Sequence, residues 1–365
     1  MFVFLKMKKP KILIIKTGGT IAERPDLEGI MQPSSDEYIH RVEGLEDLAD
    51  IDVIDLMNIE STNMETNVRF SHNHSQSEKT SDRSEVARII YHNAFKYDGF
   101  VVPHGTDTMA ESAAALTYML PDLKRPIVLT GAQRPIWMPR SDGQNNLYTA
   151  VQAATMDYGE CIIAFGNYIL RGTRARKVDE EGYDAFMTPG VEPLGRVTAL
   201  SEGIRLAEHR VRRGDFDPRI FTDFDTRVFH YAHLSGATVD DVLIDIAKSD
   251  KVHGILMSGF GAGNIPDRLI EFIRISKSKG KPVFVYTSCD TGAADMGIYS
   301  VGAAPLEAGA KPAGDMTLEA LGQKTMYAIG RANSEGLQGG EKLVFIESII
   351  KKPYNGDITV TERRR

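Results

Sequence analysis

The chain has few of the residues that mark several large classes of protein. Among its 365 residues there are two cysteines and one tryptophan. The cysteines, Cys161 and Cys289, do not belong to a CxxC pair, so neither a disulfide scaffold nor a redox motif is indicated. No window contains 18 consecutive apolar residues, and we therefore expect no transmembrane helix.

Secretory signals and a strong basic charge are also missing. The N-terminal segment "MFVFLKMKKPKILII" interrupts its apolar residues with lysines and offers no small-residue cleavage site. The formal net charge is −7, and the basic "TERRR" at the C-terminus is a short tail. A general nucleic-acid binder would need a basic surface. We predict a cytoplasmic protein without a membrane or nucleic-acid partner.

What the chain does contain is an alternation of short apolar runs with segments of helical spacing. Strands are predicted at 11–16, 99–103, 126–131 and 160–167, and helices at 84–97, 108–120 and 145–155. Further on, helices are predicted at 239–249, 265–280 and 315–330, and strands at 252–258 and 282–288. This alternation predicts an α/β fold with mostly parallel sheets.

The alternation weakens between about 187 and 235, where charge, proline and glycine are mixed, so two domains are expected. We predict a larger N-terminal α/β domain with a mostly parallel sheet flanked by helices, and a smaller parallel C-terminal α/β domain. The predicted boundaries are 10–205 for the first domain, 206–228 for a linker, 229–352 for the second domain and 353–365 for a tail.

Two turns that follow predicted strands carry threonine and glycine: "TGGTI" (17–21) and "HGTDT" (104–108). Ligands of parallel α/β sheets bind beyond the carboxyl ends of the strands. Thr108 and Glu111 fit a capping box, so the next helix should start near Thr108. Thr106 and Asp107 would then lie just outside a helix N-terminus, where backbone N–H groups bind carboxylates and oxyanions.

A threonine hydroxyl is a weak nucleophile until a base removes its proton. A lysine can act as that base, and an aspartate can orient its amine. The basic stretch "RGTRARK" (171–177) offers Lys177, although the spacing does not distinguish it from the arginines beside it. Ordinary turn and cap chemistry would also account for threonine and glycine after a strand.

Two other segments indicate alternative ligands only weakly. "GFGAGN" (259–264) lacks the lysine of a phosphate-binding loop and fits no dinucleotide fingerprint. The polar segment 71–85 contains two histidines, but no cysteine or carboxylate cluster completes a metal site there. We predict a surface loop at 71–85 and no metal.

Taken together, the segments resemble the bacterial-type L-asparaginases, and the cytoplasmic type I group in particular. The resemblance runs from about residue 11 to 350 and is most specific in "KTGGTIA", "VVPHGTDTMAESAAAL", "VLTGAQRP", "SDGQNNLYTAV" and "LRGTRARKV". It implies hydrolysis of the side-chain amide of asparagine, sometimes of glutamine, to the acid and ammonia. It implies no metal or organic cofactor.

The resemblance also implies roles for individual residues. Thr20 matches the threonine usually taken as nucleophile, and Thr106, Asp107 and Lys177 match a second catalytic group; which threonine attacks first stays open. Ser61 matches a residue that binds the substrate α-carboxylate, Asp107 would also pair with the α-ammonium, and Ala132 matches a position near the amide. The full set expected to bind substrate is Gly19, Ser61, Thr62, Gly105, Ala132 and Asn264.

One departure from the family pattern concerns a loop tyrosine beside the first threonine. Ile30 or Met31 falls in its place, and Tyr38 lies too far along the chain. Tyr299 could supply the hydroxyl from the partner subunit, as the resemblance implies for some type I relatives, or it could be a packed aromatic residue.

Two further expectations follow from the resemblance. It implies active sites at a dimer interface, in a homodimer or a dimer of dimers. Cys289 either lines a second, allosteric asparagine site or is a small buried cysteine.

Three other functions compete with that of an L-asparaginase. A mixed glutaminase/asparaginase would share every motif. The asparaginase-like subunit of archaeal glutamyl-tRNA amidotransferase shares "GGT", "HGTDTM" and the lysine but has an extra N-terminal domain, whereas about ten residues precede the first strand here. A non-catalytic asparagine sensor would have little need of a lysine beside a threonine.

Overall fold

A computed structural model of the chain describes residues 8–26, 28–29, 31–32, 37–66, 83–199, 203–232, 234–236, 239–297 and 302–360. They divide into two compact units. Within the described residues, the first unit comprises 8–65, 83–188 and 192–220, and the second comprises 66, 189–191 and 221–360. Most of the loop predicted at 71–85 lies outside the described residues, so that prediction stays open.

The first unit contains the elements predicted for the N-terminal half and several short ones besides. Its strands are β1 (Lys11–Gly18), β2 (Arg24–Pro25), β3 (Met31–Gln32), β4 (Asp50–Ile59), β5 (Gly99–Pro103), β6 (Ile127–Thr130), β7 (Cys161–Phe165), β8 (Tyr168–Arg171), β9 (Arg176–Lys177), β10 (Phe186–Met187), β11 (Gly195–Val197) and β12 (Ile204–Leu206). Its helices are α1 (Leu45–Leu48), α2 (Arg83–Asn93), α3 (Met109–Met119) and α4 (Gly143–Thr155).

Eight of these strands form one mixed sheet in the order β12-β11-β8-β7-β6-β5-β1-β4. The five strands from β4 to β7 pair in parallel, and β8, β11 and β12 continue the sheet antiparallel. β5, β6 and β7 are buried along their whole length, as expected for parallel strands covered on both faces. The predicted α/β class is confirmed.

The core of the first unit lies where the sheet meets α4. Ile12 and Val101 from neighbouring strands pack with Leu147 and Val151 of the helix, and all four are inaccessible to solvent. The end of α4 approaches β5 closely because the strand begins with a glycine: a Cβ at Gly99 would lie 2.4 Å from the carbonyl oxygen of Ala154.

The second unit is a smaller parallel α/β unit, as predicted. Its strands β13 (Val228–Tyr231), β14 (Gly254–Gly259), β15 (Val283–Thr287) and β16 (Ala310–Pro312) pair in parallel in chain order. Its helices are α5 (Asp240–Lys248), α6 (Ile270–Ser278), α7 (Ala303–Ala308), α8 (Leu318–Ser334) and α9 (Gly339–Lys351). In the part of the chain that the structure describes, none of the helices has the length and apolar character needed to cross a bilayer.

The segment predicted as a linker, 206–228, makes ordered contacts at its start. Arg213 donates from Nε to the carbonyl oxygen of Met156 at 2.5 Å, and Arg210 donates from Nη2 to Asp157 Oδ2 at 3.1 Å. Its residues up to Ile220 group with the first unit. The domain boundaries themselves stay a prediction.

Candidate active site

Three turns meet at the carboxyl edge of the sheet because β4, β1 and β5 are parallel neighbours. We call residues 17–20 the first turn and residues 104–108 the second turn; Ser61 begins the turn after β4. The Thr17 hydroxyl donates to the carbonyl oxygen of Pro103 at 2.8 Å, and the amide of Gly19 donates to the carbonyl oxygen of Ile59 at 3.2 Å. The turns are therefore tied to one another by one side-chain and one backbone hydrogen bond.

Glycine is required where the turns touch. A Cβ at Gly19 would lie 2.3 Å from the backbone nitrogen of Gly105, and one at Gly105 would lie 2.7 Å from Ser61 Oγ. Gly19 also has φ +83°, a conformation that other residues rarely adopt. The two glycines thus bring Thr20, Ser61 and Thr106 onto adjoining backbone, and these five residues are all part of the predicted site.

Helix α3 begins directly after Thr108, as predicted, but the predicted capping box is wrong. Thr108 makes no side-chain cap bond to the helix. Its hydroxyl donates instead to the carbonyl oxygen of Ser61 at 2.7 Å. A hydroxyl has a single hydrogen to donate, and here it is used to fasten the second turn to the turn after β4.

Lys177 reaches the second turn from β9, which pairs antiparallel with β10. Its Nζ donates to Thr106 Oγ1 at 2.9 Å and to Asp107 Oδ1 at 2.8 Å. Thr106 is buried, whereas the Asp107 side chain is 57% exposed. The cluster therefore joins a hydroxyl, an amine and a carboxylate, with the carboxylate on the open side.

The structure separates Lys177 from other basic residues of its stretch. Arg171 donates from Nε to the buried carboxylate of Glu160 at 2.7 Å, which is a structural ion pair. Arg174 is 1% exposed. Lys177, by contrast, contacts the hydroxyl and the carboxylate of the second turn, and sequence spacing could not establish this difference.

A buried histidine supports the second turn from behind. His104 Nδ1 lies 2.7 Å from the carbonyl oxygen of Gly105, and its Nε2 lies 2.9 Å from Ser112 Oγ. Because a carbonyl only accepts, Nδ1 carries the hydrogen, and Ser112 donates to Nε2. Arg83 Nε in turn donates to Ser112 Oγ at 2.7 Å. Burial lowers the pKa of His104 to about 4, so the ring is neutral at pH 7.

An acid that sequence reasoning missed lies behind the first turn. Glu23 is 8% exposed, and its backbone amide donates to the carbonyl oxygen of Thr20 at 3.2 Å at the end of the short helix Thr20–Ala22. Burial, together with the hydrogen bond and the charge of Glu60, raises its pKa from 4.5 to about 7. The signal in the sequence was an acid directly after the buried pair Ile21 and Ala22, three residues beyond Thr20.

The other residues expected to bind substrate lie in different surroundings. Thr62 is exposed in the short helix Ser61–Asn63. Ala132 is fully buried, and the amide of the next residue donates to the Asp142 carboxylate at the start of α4. Asn264 belongs to the second unit and lies in the tight turn after β14. Its backbone N–H donates to the carbonyl oxygen of Phe260 at 2.8 Å.

Of the residues considered in place of the family's loop tyrosine, the structure describes Met31 and Tyr38. Met31 is exposed on β3, and Tyr38 is fully buried in the core with Lys16 Nζ 5.3 Å from its ring centre. The Tyr38 hydroxyl has no hydrogen-bond partner among the described residues. Ile30 and Tyr299 lie outside the described residues, so the role suggested for Tyr299 stays open.

The expectation of a small buried cysteine at position 289 is wrong. Cys289 is exposed, in the turn after β15, where its amide donates to Thr287 Oγ1 at 3.1 Å. The chain leaves the sheet at Thr287, and the turn carries Cys289 away from the apolar residues of the strand. Cys161 is the buried cysteine, and burial raises the pKa of its thiol.

Comparison with known proteins agrees with this fold. The family model described as "Asparaginase, N-terminal" matches residues 11–212, and the one described as "Glutaminase/Asparaginase C-terminal domain" matches residues 231–336. Together they account for most of the chain. The chain belongs to the asparaginase family of amidohydrolases.

Individual relatives extend this assignment. The L-asparaginase of Thermococcus kodakarensis is 33% identical, over 96% of this chain and 99% of the relative, and its solved structure has a TM-score of 0.82. L-asparaginase I of Vibrio cholerae is 25% identical, with a TM-score of 0.80 over 96% of this chain and all of that one. A glutamyl-tRNA(Gln) amidotransferase subunit of Pyrococcus abyssi is 31% identical over 96% of this chain and 77% of its own length.

Proposed function

We propose that the protein hydrolyses L-asparagine to L-aspartate and ammonia through a threonine nucleophile, as an L-asparaginase of the cytoplasmic type I kind. The observation that carries the proposal is the contact of Lys177 with both Thr106 and Asp107, at 2.9 and 2.8 Å, on a turn whose backbone adjoins that of Thr20. A hydroxyl, an amine and an acid in contact are the groups that nucleophilic amide hydrolysis requires.

The reaction would proceed in two steps. A threonine hydroxyl attacks the amide carbon, its proton passes to the leaving nitrogen, and ammonia departs to leave an acyl-enzyme ester. Water then hydrolyses the ester and restores the hydroxyl. Thr20 and Thr106 are both candidates for the attacking group, Lys177 for its base, and Asp107 for the group that orients the amine. No step needs a metal or an organic cofactor.

Substrate recognition would rest on charge pairing at both ends of the amino acid. Asp107 has an exposed carboxylate that can pair with an α-ammonium, and Ser61 offers a hydroxyl beside Gly105 for the α-carboxylate. Gly19 and Gly105 would let the substrate approach the backbone. Thr62, Ala132 and Asn264 complete the proposed set, and Tyr299 is proposed as a further catalytic hydroxyl. We also propose a homodimer or a dimer of dimers.

A second candidate is favoured by the relatives. Glutamyl-tRNA(Gln) amidotransferase subunits of several organisms match most of this chain at 29–33% identity, so an amidotransferase role on a tRNA-bound amino acid is an alternative. A mixed asparaginase/glutaminase is the other, because the second family model is described as a glutaminase/asparaginase domain.

The deciding experiment measures ammonia release from L-asparagine, L-glutamine and D-asparagine, with Thr20→Ala, Thr106→Ala and Lys177→Met beside the parent. We expect release from L-asparagine that each variant abolishes. Comparable release from L-glutamine would favour mixed specificity. No release from any free amide by a folded protein would contradict the proposal, and release only in the presence of tRNA and a partner protein would favour the amidotransferase role.

A further inference from the structure

A chain of buried hydrogen bonds ends on the peptide bond that precedes Thr106, and the reaction proposed above gives it no task. Arg83 Nε donates to Ser112 Oγ at 2.7 Å, and Ser112 Oγ lies 2.9 Å from His104 Nε2. His104 Nδ1 lies 2.7 Å from the carbonyl oxygen of Gly105. None of the three side-chain residues is more than 5% exposed. The network is therefore shielded from water and adjoins the second turn.

The arginine at one end fixes the direction of the whole chain. A guanidinium only donates, so Ser112 accepts from Arg83 and keeps its single hydrogen for His104 Nε2. Burial lowers the pKa of His104 to about 4, so the imidazole is neutral and carries one hydrogen. That hydrogen must then be on Nδ1, where it is donated to Gly105. The network thus has a single arrangement of hydrogens.

The serine of this network does not use the partner that its own helix offers. A serine or threonine within a helix can donate to the carbonyl oxygen four residues earlier. Thr117 of α3 does so, with Oγ1 2.9 Å from the carbonyl oxygen of Ala113. Ser112 of the same helix directs its hydroxyl to the His104 ring instead. The hydroxyl therefore links α3 to the second turn.

The carbonyl of Gly105 lies in one rigid plane with the N–H of Thr106. This peptide bond is trans, as are the others that the structure describes, so the carbonyl and the N–H point in opposite directions. Position 105 must be glycine, because a Cβ there would lie 2.7 Å from Ser61 Oγ. A glycine restricts its own backbone little. The hydrogen bond from His104 supplies the restriction that a side chain at position 105 would otherwise give.

We propose that His104 is a positioning residue for the reaction: its Nδ1–H holds the Gly105 carbonyl and so fixes the orientation of Thr106 toward Lys177. The proposal rests on the function proposed above. Thr106 Oγ1 accepts from Lys177 Nζ at 2.9 Å, and a rotation of the preceding peptide plane would lengthen this contact. Ser112 and Arg83 act one step further away, because they keep the hydrogen of the ring on Nδ1.

The test compares His104→Asn with His104→Gln in kcat for L-asparagine and in the urea midpoint. Both side chains carry an NH2 donor. The shorter one, of asparagine, puts the donor in the place of Nδ1, and the longer one, of glutamine, puts it in the place of Nε2. We expect His104→Asn to keep most of the parental kcat and His104→Gln to lower it by about 10- to 100-fold, the size of a loss of orientation.

Stability should rank the same two variants in the opposite order. Asparagine is smaller than glutamine and leaves the larger cavity in place of the ring, so His104→Asn should have the lower urea midpoint. A histidine that only filled space would make the more stable variant the more active one. Opposite rankings of kcat and of the urea midpoint therefore separate positioning from a merely structural role.

A second pair of variants tests the partners of the ring. Ser112→Ala removes the donor to Nε2, so the hydrogen of the ring can move there and leave a lone pair facing Gly105. We expect kcat to fall by about 2- to 10-fold, the range for one neutral hydrogen bond. Thr117→Val is the matched control, because it removes a buried hydroxyl of the same helix whose recorded partner is Ala113 of that helix. It should keep the parental kcat.

Each other outcome counts against a named part. Parental kcat in His104→Gln, or a kcat above that of His104→Asn, overturns the assignment of His104 and leaves the proposed function intact. Parental kcat in Ser112→Ala overturns the part assigned to Ser112 and Arg83. A parent without ammonia release overturns the proposed function and this assignment with it. If His104→Asn does not fold, judged by its melting curve, the contrast between His104→Gln and Thr117→Val decides alone.

Discussion

Two buried titratable groups of opposite kind, one beside the first turn and one in the second turn, have pKa values that are shifted by the same physical cause. Glu23 follows the first turn and is 8% exposed, and His104 begins the second turn and is 2% exposed. Burial disfavours the charged form of each, so the pKa of the carboxyl rises to about 7 and that of the imidazole falls to about 4. Burial therefore gives the two groups opposite responses to pH.

The two turns also obtain their partners from different distances along the chain. Glu23 is three residues from Thr20, whereas Lys177 is 71 residues from Thr106. The first turn carries its acid within one local bend, and the second depends on β9 being placed correctly against it. Damage to the fold of the first unit should thus affect the second turn more than the first.

The largest expected effect comes from removing the distant partner. Lys177→Met keeps the length of the side chain but removes the amine that contacts Thr106 and Asp107. We expect ammonia release from L-asparagine to fall by about 10³-fold, within the range for loss of a general base. Lys248→Met, on an exposed position of α5, is the control and should keep parental activity. Retention of more than a tenth of the activity would remove Lys177 from the mechanism.

Substituting Gly19, where the first turn touches the second, should have the next largest effect. Gly19→Ala places a Cβ 2.3 Å from the Gly105 nitrogen and also strains φ +83°. We expect a loss of about 3 kcal/mol or more in the free energy of unfolding, beyond the strain term alone. Gly29→Ala has nearly the same φ, +82°, with no atom within 4 Å, so it isolates the strain. Urea denaturation of both variants measures the difference, and equal losses would show that the contact is not limiting.

Acid should weaken the second turn through His104. Below about pH 6.5 the unfolded chain binds a proton at this residue, while the folded chain does not until about pH 4, so stability falls as the pH falls across that window. His104→Gln should be less stable than the parent at pH 7 but should lose less, by up to about 3 kcal/mol, on going to pH 4. Urea midpoints at both pH values test this, with exposed His92→Gln as control. Parallel losses in parent and variant would contradict it.

Glu23, beside the first turn, should show the opposite effect. The folded chain keeps the Glu23 proton up to about pH 7, whereas the unfolded chain loses it near 4.5, so stability falls as the pH rises across that window. Glu23→Gln should therefore melt above the parent at pH 8, by about 2–4 °C. This difference in melting temperature should disappear at pH 4.5. A gap that does not change with pH, or one equal to that of Glu28→Gln, would mean that Glu23 is ordinarily charged in the folded protein.

Most of the regular fold could be predicted because its strands are continuous apolar runs. β5 was predicted with its exact bounds, Gly99–Pro103, since Gly, Pro and a buried β-branched run define it. β4, Asp50–Ile59, was missed because three aspartates interrupt it and half of its residues face solvent. α9, Gly339–Lys351, was missed as well, although Gly339 and Lys351 flank a helical spacing of apolar residues.

The candidate site was predictable only in part, because its contacts are not local. The second turn was recognisable from its residues, yet nothing in "RGTRARK" distinguishes Lys177 from Arg171 until Glu160 is seen to hold the arginine. The capping box failed because Thr108 has φ −119° and ψ 23° and lacks the extended backbone that is usual at an N-cap. Glu23 was missed because its importance depends on burial, which a single acid in a loop does not reveal.

The contacts between Gly19, Gly105 and Ser61 bear on how the protein would measure its substrate. Glutamine exceeds asparagine by one methylene, and a pocket that rejects one methylene discriminates by about 1–3 kcal/mol. Backbone meets backbone at Gly19 and Gly105, and Ser61 adjoins Gly105. The turns cannot part by one carbon–carbon bond while these contacts persist. Under the function proposed above, the three turns would therefore keep a fixed spacing, and tolerance of a longer amide would have to come from side chains outside them.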